Sequence, residues 1–358
     1  MSMLAGQVDA VIGVDTHRDK HTVAVVDPTG GVIATVELAT DAFGYRRMLA
    51  FAVEHGPGRR VWAIEGTGSY GSGLSTFLLE KGEWVAEIDR PARRARRNGA
   101  KTDEIDAVRA AREALSRDHL AQPRRRGDRE AMRVLLTTRE GTVIARTKAI
   151  CQLKALIVGA PEQLRDQLRR GTTDAQLDRC ARLRTTPTQS TEHRCTVRAL
   201  RICARQALFL EAQAADLESE LEELVTVAAP QLLALTGVGV VTGAQILISW
   251  SHAGRIRSEA AFAALAGVAP IPASSGQTVR YRLNRSGDRQ LNRALHTIVL
   301  SRLSHDEATK IYAARRIAEG KTPREIKRCL KRALARHVYR ALEAAARADT
   351  ATPAAAAA

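Results

Sequence analysis

Aromatic residues make up only 4% of the chain, with five Phe, five Tyr and three Trp. That scarcity argues against broad stacking platforms for single-stranded bases as the main mode of binding. No apolar run approaches the roughly 20 residues that a membrane-spanning helix needs. The opening MSMLAGQVDAVIGVD has no basic segment followed by a long apolar stretch, so no secretory leader is expected. The five cysteines (Cys151, Cys180, Cys195, Cys203 and Cys329) form no CxxC pair and no zinc-site spacing. An odd, scattered set reads as reduced intracellular thiols. Acids are also in deficit: 39 Asp and Glu face 55 Lys and Arg, a formal net charge of +16. Such an excess suits a polyanion, with nucleic acid the leading candidate, and the expected location is cytoplasmic and nucleoid-associated.

What is present is ordinary globular material, 45% hydrophobic and 26% charged. With 358 residues there is room for two or three domains, each with its own core. The stretches AVIGVD (10–15), HTVAVVD (21–27) and GVIATVEL (31–38) are β-branched runs separated by THRDK and PTGG. Connections this short imply an antiparallel meander, because parallel strands need a long crossover. An amphipathic helix follows at about 41–55, with Phe43, Met48, Leu49 and Val53 as expected core contacts. A strand (60–66), a helix (71–82), a strand (84–89) and a helix (103–116) complete the order βββαβαβα. That is the pattern of a ribonuclease-H-like α/β fold.

Beyond it the pattern turns helical. Met132, Leu136, Val143, Ile150, Leu153 and Ile157 recur by threes and fours over 128–158, and a polar, Thr-rich stretch at 171–192 interrupts them. Leu200, Cys203, Ala207, Leu210, Ala214, Leu217, Leu221, Leu224 and Ala228 then form an a/d seam four heptads long. A seam of this kind predicts a coiled-coil arm over 127–229, the alternative being the core of a helical bundle. After Pro230 a mainly helical C-terminal domain is expected to 345, with a flexible Ala-rich tail from 346. Its LLALTGVGVVTGAQIL segment (232–247) has helix-hairpin-helix form, whose small turn lets backbone N–H groups approach a phosphate. GVAPIPASSGQTVRYRLNRSGDRQLNRAL (267–295) reads as loop, short basic strand, turn and helix. KTPREIKRCLKRALARHVYR (321–340) carries eight Lys or Arg against one acid.

Within the basic chain lies an acidic knot. The twelve residues from Arg90 to Lys101 hold six Lys or Arg and no acid, and Asp103, Glu104 and Asp106 follow directly. Helix physics alone accounts for part of this, since acids suit the first turn of a helix that Thr102 can cap. In a sheet of the expected order, however, strand one is central and strand four lies beside it. Asp15 on strand one, Glu65 at the end of strand four, and Asp103 with Asp106 on one face of the last helix then converge, while Glu104 points elsewhere. Four carboxylates together repel, and a divalent cation such as Mg²⁺ or Mn²⁺ relieves that repulsion in phosphoryl transfer. Arg93, Arg94, Arg96, Arg97 and Lys101 are the expected track for a nucleic-acid backbone.

Asp15, Glu65 and KTDEIDA, with GVAPIPASSG and NRSGDRQLNRALH downstream, resemble the DEDD transposases of the insertion-sequence-110 family. The resemblance runs over about residues 10–342 in the family's domain order. It implies a RuvC-like DEDD domain (1–126), the arm, and a C-terminal transposase domain with a nucleophilic serine. It further implies donor and target DNA as substrates, a noncoding guide RNA from the element, and a homo-oligomer, dimer or tetramer. Carried over by position, the catalytic and metal-binding acids are Asp15, Glu65, Asp103 and Asp106, and the serine is Ser275, with Ser274 adjacent. As turn formers, both serines also suit PASSG without any catalytic role. A serine nucleophile splits strand exchange into two transesterifications and conserves the phosphodiester. Arg280, Arg282, Arg285 and Arg289 follow it and suit phosphate contact, as do Lys327, Arg328, Lys331 and Arg332 in the terminal basic helix.

Three other functions share parts of this pattern. A water-using junction-resolving nuclease has the acids and the metal but needs no serine. A sugar or acetate kinase has a related sheet, and EGTGSYG (65–71) resembles its phosphate loop, but the +16 charge does not suit a small-metabolite enzyme. A non-catalytic nucleic-acid-binding protein explains the charge and leaves the acids without a role.

Overall fold

The computed structural model describes residues 4–88, 102–117, 119–274 and 281–351. The chain divides into two units, Met1–Arg125 and Arg126–Ala358. In the first, strands β1 (Ala10–Thr16), β2 (Lys20–Val26) and β3 (Val32–Ala39) precede helix α1 (Ala42–His55). Then come β4 (Arg60–Glu65), α2 (Ser72–Glu80), β5 (Trp84–Ile88) and α3 (Asp103–Leu115). The mixed sheet has the order β3-β2-β1-β4-β5. The β1–β2 and β2–β3 pairs are antiparallel, as their short turns require, and the β1–β4 and β4–β5 pairs are parallel.

Strand alternation sorts the core into two layers. Ala10, Ile12 and Val14 of β1 pack with Met48 of α1 and Leu74 and Leu78 of α2. Val11 packs on the opposite face with Val61 and Ala63 of β4 and with Ala111 and Ala114 of α3. Gly13 shares that second face. A Cβ there would lie 2.0 Å from the Ala107 carbonyl oxygen and 2.8 Å from the Ala111 nitrogen, so α3 rests directly on the backbone of the central strand. The helix presents Ala107, Ala110, Ala111 and Ala114 to the sheet, small residues that permit this approach.

Helix α1 departs from the sequence expectation. Phe43 and Val53 are 62% and 48% exposed, whereas Gly44, Met48 and Ala52 face the sheet. The N-terminus of α1 runs so close to β3 that a Cβ on Gly44 would lie 2.0 Å from the Ala39 carbonyl oxygen. Close approach requires Gly44 at the start of the helix and turns Phe43 outward, while Met48 and Leu49 pack on the sheet as expected.

The second unit is mainly helical. It holds α4 (Asp128–Val158), α5 (Glu162–Leu168), α6 (Thr173–Arg182), α7 (Thr191–Ala228), α8 (Pro230–Leu233), α9 (Val240–Trp250) and α10 (Glu259–Leu265). A two-stranded ribbon, β6 (Ile271–Pro272) with β7 (Tyr281–Arg282), leads to α11 (Arg289–His305), α12 (Glu307–Ala318) and α13 (Pro323–Ala351). Helices α4 and α7 pack antiparallel, with Arg139 bonded to Glu218 at 2.6 Å and Arg146 to Glu211 at 2.8 Å. Leu200, Cys203 and Ala207 of the α7 seam meet Ala149, Leu153 and Ile157 of α4. Val143 is instead 37% exposed, and Val225 takes the buried place near the end of α7 while Ala228 is exposed.

The polar stretch at 171–192 contains a helix rather than only a break. Thr172 caps α6 by accepting from the Ala175 N–H, and Leu177 and Cys180 are buried with the α4 and α7 side chains. At the other end of the pair, Met132, Leu221 and Val225 join the C-terminal core with Phe262, Leu295, Ile298, Leu334 and Val338. The 232–247 segment forms the single-turn α8, a turn with Gly237 at φ +81°, and α9 behind the N-cap Gly239. Helix α13 continues past 344, with Leu342 buried and Ala346 packed on the core, so this part of the tail is folded. Among the described residues no helix is long and apolar enough to cross a membrane.

Candidate active site

Asp15 owes its position to Gly13. Two residues along β1, it points to the α3 face, beside the first turn of the helix that Gly13 admits. Thr102 caps α3, accepting the Ile105 N–H at 3.4 Å, and Asp103, Glu104 and Asp106 fill the first turn. Val14 pairs with Ile64 across the parallel β1–β4 ladder, so Asp15 and Glu65 follow at the same height. Alternation from Val61 and Ala63 puts Glu65 on the α3 face as well. The Thr16 hydroxyl donates to the Glu65 main-chain carbonyl at 3.0 Å and ties the two strand ends together.

Carboxylate oxygens of Asp15 and Asp103 and a ring nitrogen of His17 all lie within 4.8 Å of one another. His17 Nε2 is 3.2 Å from Asp15 Oδ2 and 3.6 Å from Asp103 Oδ1. Burial pushes the Asp15 carboxyl above its ordinary range, His17 opposes the shift, and the charges of Asp106 and Asp103 add to it. Asp106 accepts from Arg109 at 2.9 Å, one turn along α3. Asp106 and Glu65 are outside the 4.8 Å group, and Glu104 is exposed. The donor set is therefore hard oxygen with one imidazole. A hard divalent cation fits such a set.

His17 is the member that the sequence reading missed. The D-x-H spacing at the end of β1 was its only trace, since period-two alternation puts residues 15 and 17 on one side.

The second motif set is in the C-terminal unit. Asp288 caps α11, accepting from Gln290 and Leu291, and also accepts the Ser249 hydroxyl at 2.7 Å. Its N–H donates to the Leu265 carbonyl, and Asn292 Nδ2 donates to Ala266 O at 2.7 Å. Gly287, at φ +95°, passes so close to α10 that a Cβ would lie 2.4 Å from the Leu265 carbonyl oxygen. The NRSGD segment thus anchors the base of the β6–β7 ribbon. Ser274 is exposed two residues past β6, while Ser275 and Arg280 lie outside the described residues. So do Arg93, Arg94, Arg96, Arg97 and Lys101. Arg282, Arg285, Arg289 and Arg328 are exposed and Lys327 is half-buried. Lys331 donates to Asn292 Oδ1 at 3.0 Å, and Arg332 pairs with Glu259 at 3.6 Å, so both are engaged within the fold.

Comparison with known proteins returns one family twice. A family model for IS110-type DEDD transposases matches residues 12–160, and one described as "Transposase IS116/IS110/IS902 family" matches residues 229–314. A Streptomyces coelicolor protein named "Insertion element IS110 uncharacterized 43.6 kDa protein" is 35% identical over 94 residues. That match covers 26% of this chain and 23% of the relative. The Mycobacterium paratuberculosis "Insertion element IS900 uncharacterized 42 kDa protein" is 25% identical over 357 residues, 86% of this chain and 89% of the relative. With both models matching in chain order, this chain belongs to the insertion-sequence-110 family of DEDD transposases.

Proposed function

We propose that this protein is a DNA transposase/recombinase that cleaves and exchanges strands at the ends of an insertion sequence. The observation that carries the reading is the approach of Asp103, from the N-terminus of α3, to Asp15 on the central strand. The strand order and the positions of the acids support a ribonuclease-H-like, RuvC-like domain, with Asp15, Glu65, Asp103 and Asp106 as the residues that hold Mg²⁺ or Mn²⁺. When bound, that cation neutralises charge on a scissile phosphate.

The protein's own residues have defined tasks in this reading. Thr102 and the Gly13 contact aim the acids, and Arg109 restrains Asp106. The Ser275 hydroxyl attacks phosphorus, the bond from phosphorus to the displaced strand oxygen breaks, and that oxygen leaves carrying a proton. The phosphodiester is thereby conserved for religation, and no nucleotide triphosphate is required. The β6–β7 ribbon, anchored by Asp288 and Asn292, carries the serine segment, and exposed Arg282, Arg285 and Arg289 bind phosphate around it. The α4–α7 pair acts as a coiled-coil arm in a homo-oligomer, and the α8–α9 turn as a helix-hairpin-helix contact to nucleic acid. A noncoding RNA from the element guides the protein to donor and target, a proposal that rests on family membership.

The test uses the full chain, RNA transcribed from the DNA flanking its gene, and DNA carrying the element's ends. Asp103→Asn is expected to abolish strand cleavage while leaving salt-sensitive nucleic-acid binding in place. Cleavage at the wild-type level would remove the acids from the chemistry.

A further inference from the structure

We propose that His17 is a nitrogen donor in the cation site of the acidic cluster, giving that site a preference for Mn²⁺ over Mg²⁺. The proposal rests on the reading of Asp15 and Asp103 as metal ligands and adds a residue to it. Three observations support it. First, His17 Nε2 is situated between the two carboxylates, 3.2 Å from one and 3.6 Å from the other. Second, the three donor atoms form the one group of this kind among the described residues, all within 4.8 Å. Third, the main chain at this point is fixed, because the His17 N–H donates to Nδ1 of the fully buried His21 at 3.3 Å.

An ion pair with Asp15, 15% exposed, accounts for one of the two contacts and leaves the approach of Asp103 unexplained. The His17 side chain is 53% exposed and that of Asp103 50%, and pairs between exposed groups contribute little. The same exposure leaves the ring open to an ion arriving from solvent. Imidazole favours transition metals, whereas carboxylates accept Mg²⁺ and Mn²⁺ alike, so a mixed set favours the transition ion.

The experiment measures Mn²⁺ bound to the full-length protein without nucleic acid, by titration and by pulsed electron paramagnetic resonance. Wild type should show nitrogen modulation on the bound Mn²⁺. His17→Gln should lose that modulation, bind Mn²⁺ about tenfold or more weakly, and narrow the ratio of Mn²⁺ to Mg²⁺ affinity. Because His17 is exposed, the variant should melt as wild type does. If Mn²⁺ binds and Asp103→Asn weakens it, but nitrogen modulation is absent or persists in His17→Gln, the histidine is overturned and the carboxylate site stands. If Asp103→Asn leaves Mn²⁺ binding unchanged, the carboxylate reading falls and the histidine with it.

Discussion

Gly13 is the residue on which the geometry of the cluster depends. A methyl group there meets the α3 backbone, which has no flexible end to move aside. Gly13→Ala is therefore expected to cost about 1–3 kcal/mol of stability, measured by urea unfolding, whereas Gly68→Ala, with nothing near its Cβ, should stay within about 0.5 kcal/mol. The buried His21, stacked 6.2 Å from Tyr45, gives a pH-dependent companion. Burial lowers its pKa from 6.5 to about 4, so the fold holds it neutral while the unfolded chain takes up a proton below pH 6.5. Its contribution is complete above pH 6.5 and is lost as the pH falls toward 4. Unfolding free energies at pH 7 and pH 5 should differ by about 2 kcal/mol from this residue, a difference that His21→Leu removes.

At the scale of elements, the α4–α7 pair separates side chains that hold the fold from those that do not. Leu200 is fully buried against α4 and α6, while Phe209 is 62% exposed on the same helix. Leu200→Ala should cost about 2–5 kcal/mol and Phe209→Ala almost nothing, as read from thermal melting at low protein concentration. The β-strands were legible in the sequence because β-branched runs and short turns leave few alternatives, and α3 because Thr102 and three acids mark its start. The buried face of α1 was legible in part: Met48 and Leu49 pack on the sheet as expected, while Phe43 and Val53 are exposed because the close approach of β3 turns Gly44 inward. Helix α6 was hidden by its polar composition. Only Gln176, Leu177 and Cys180 are buried, too few to stand out among the polar residues.

For the molecule as a whole, two motif sets separated by more than 100 residues lie in different units of the chain. The shared height of Asp15 and Glu65 could be read from the sequence because strand order turns distant positions into neighbours: both lie at the C-terminal ends of adjacent parallel strands. His17 was harder to find, because the D-x-H spacing gains a meaning only when Asp103 is seen beside it. The central claim is that the acids support attack by the serine on DNA. It is tested most directly by isolating covalent protein–DNA adducts from the guided reaction and sequencing the modified peptide in wild type, Asp103→Asn and Ser275→Ala. The expected result is an adduct on Ser275 in wild type and none in either variant. A wild-type yield of adduct from Asp103→Asn or Ser275→Ala would contradict the account.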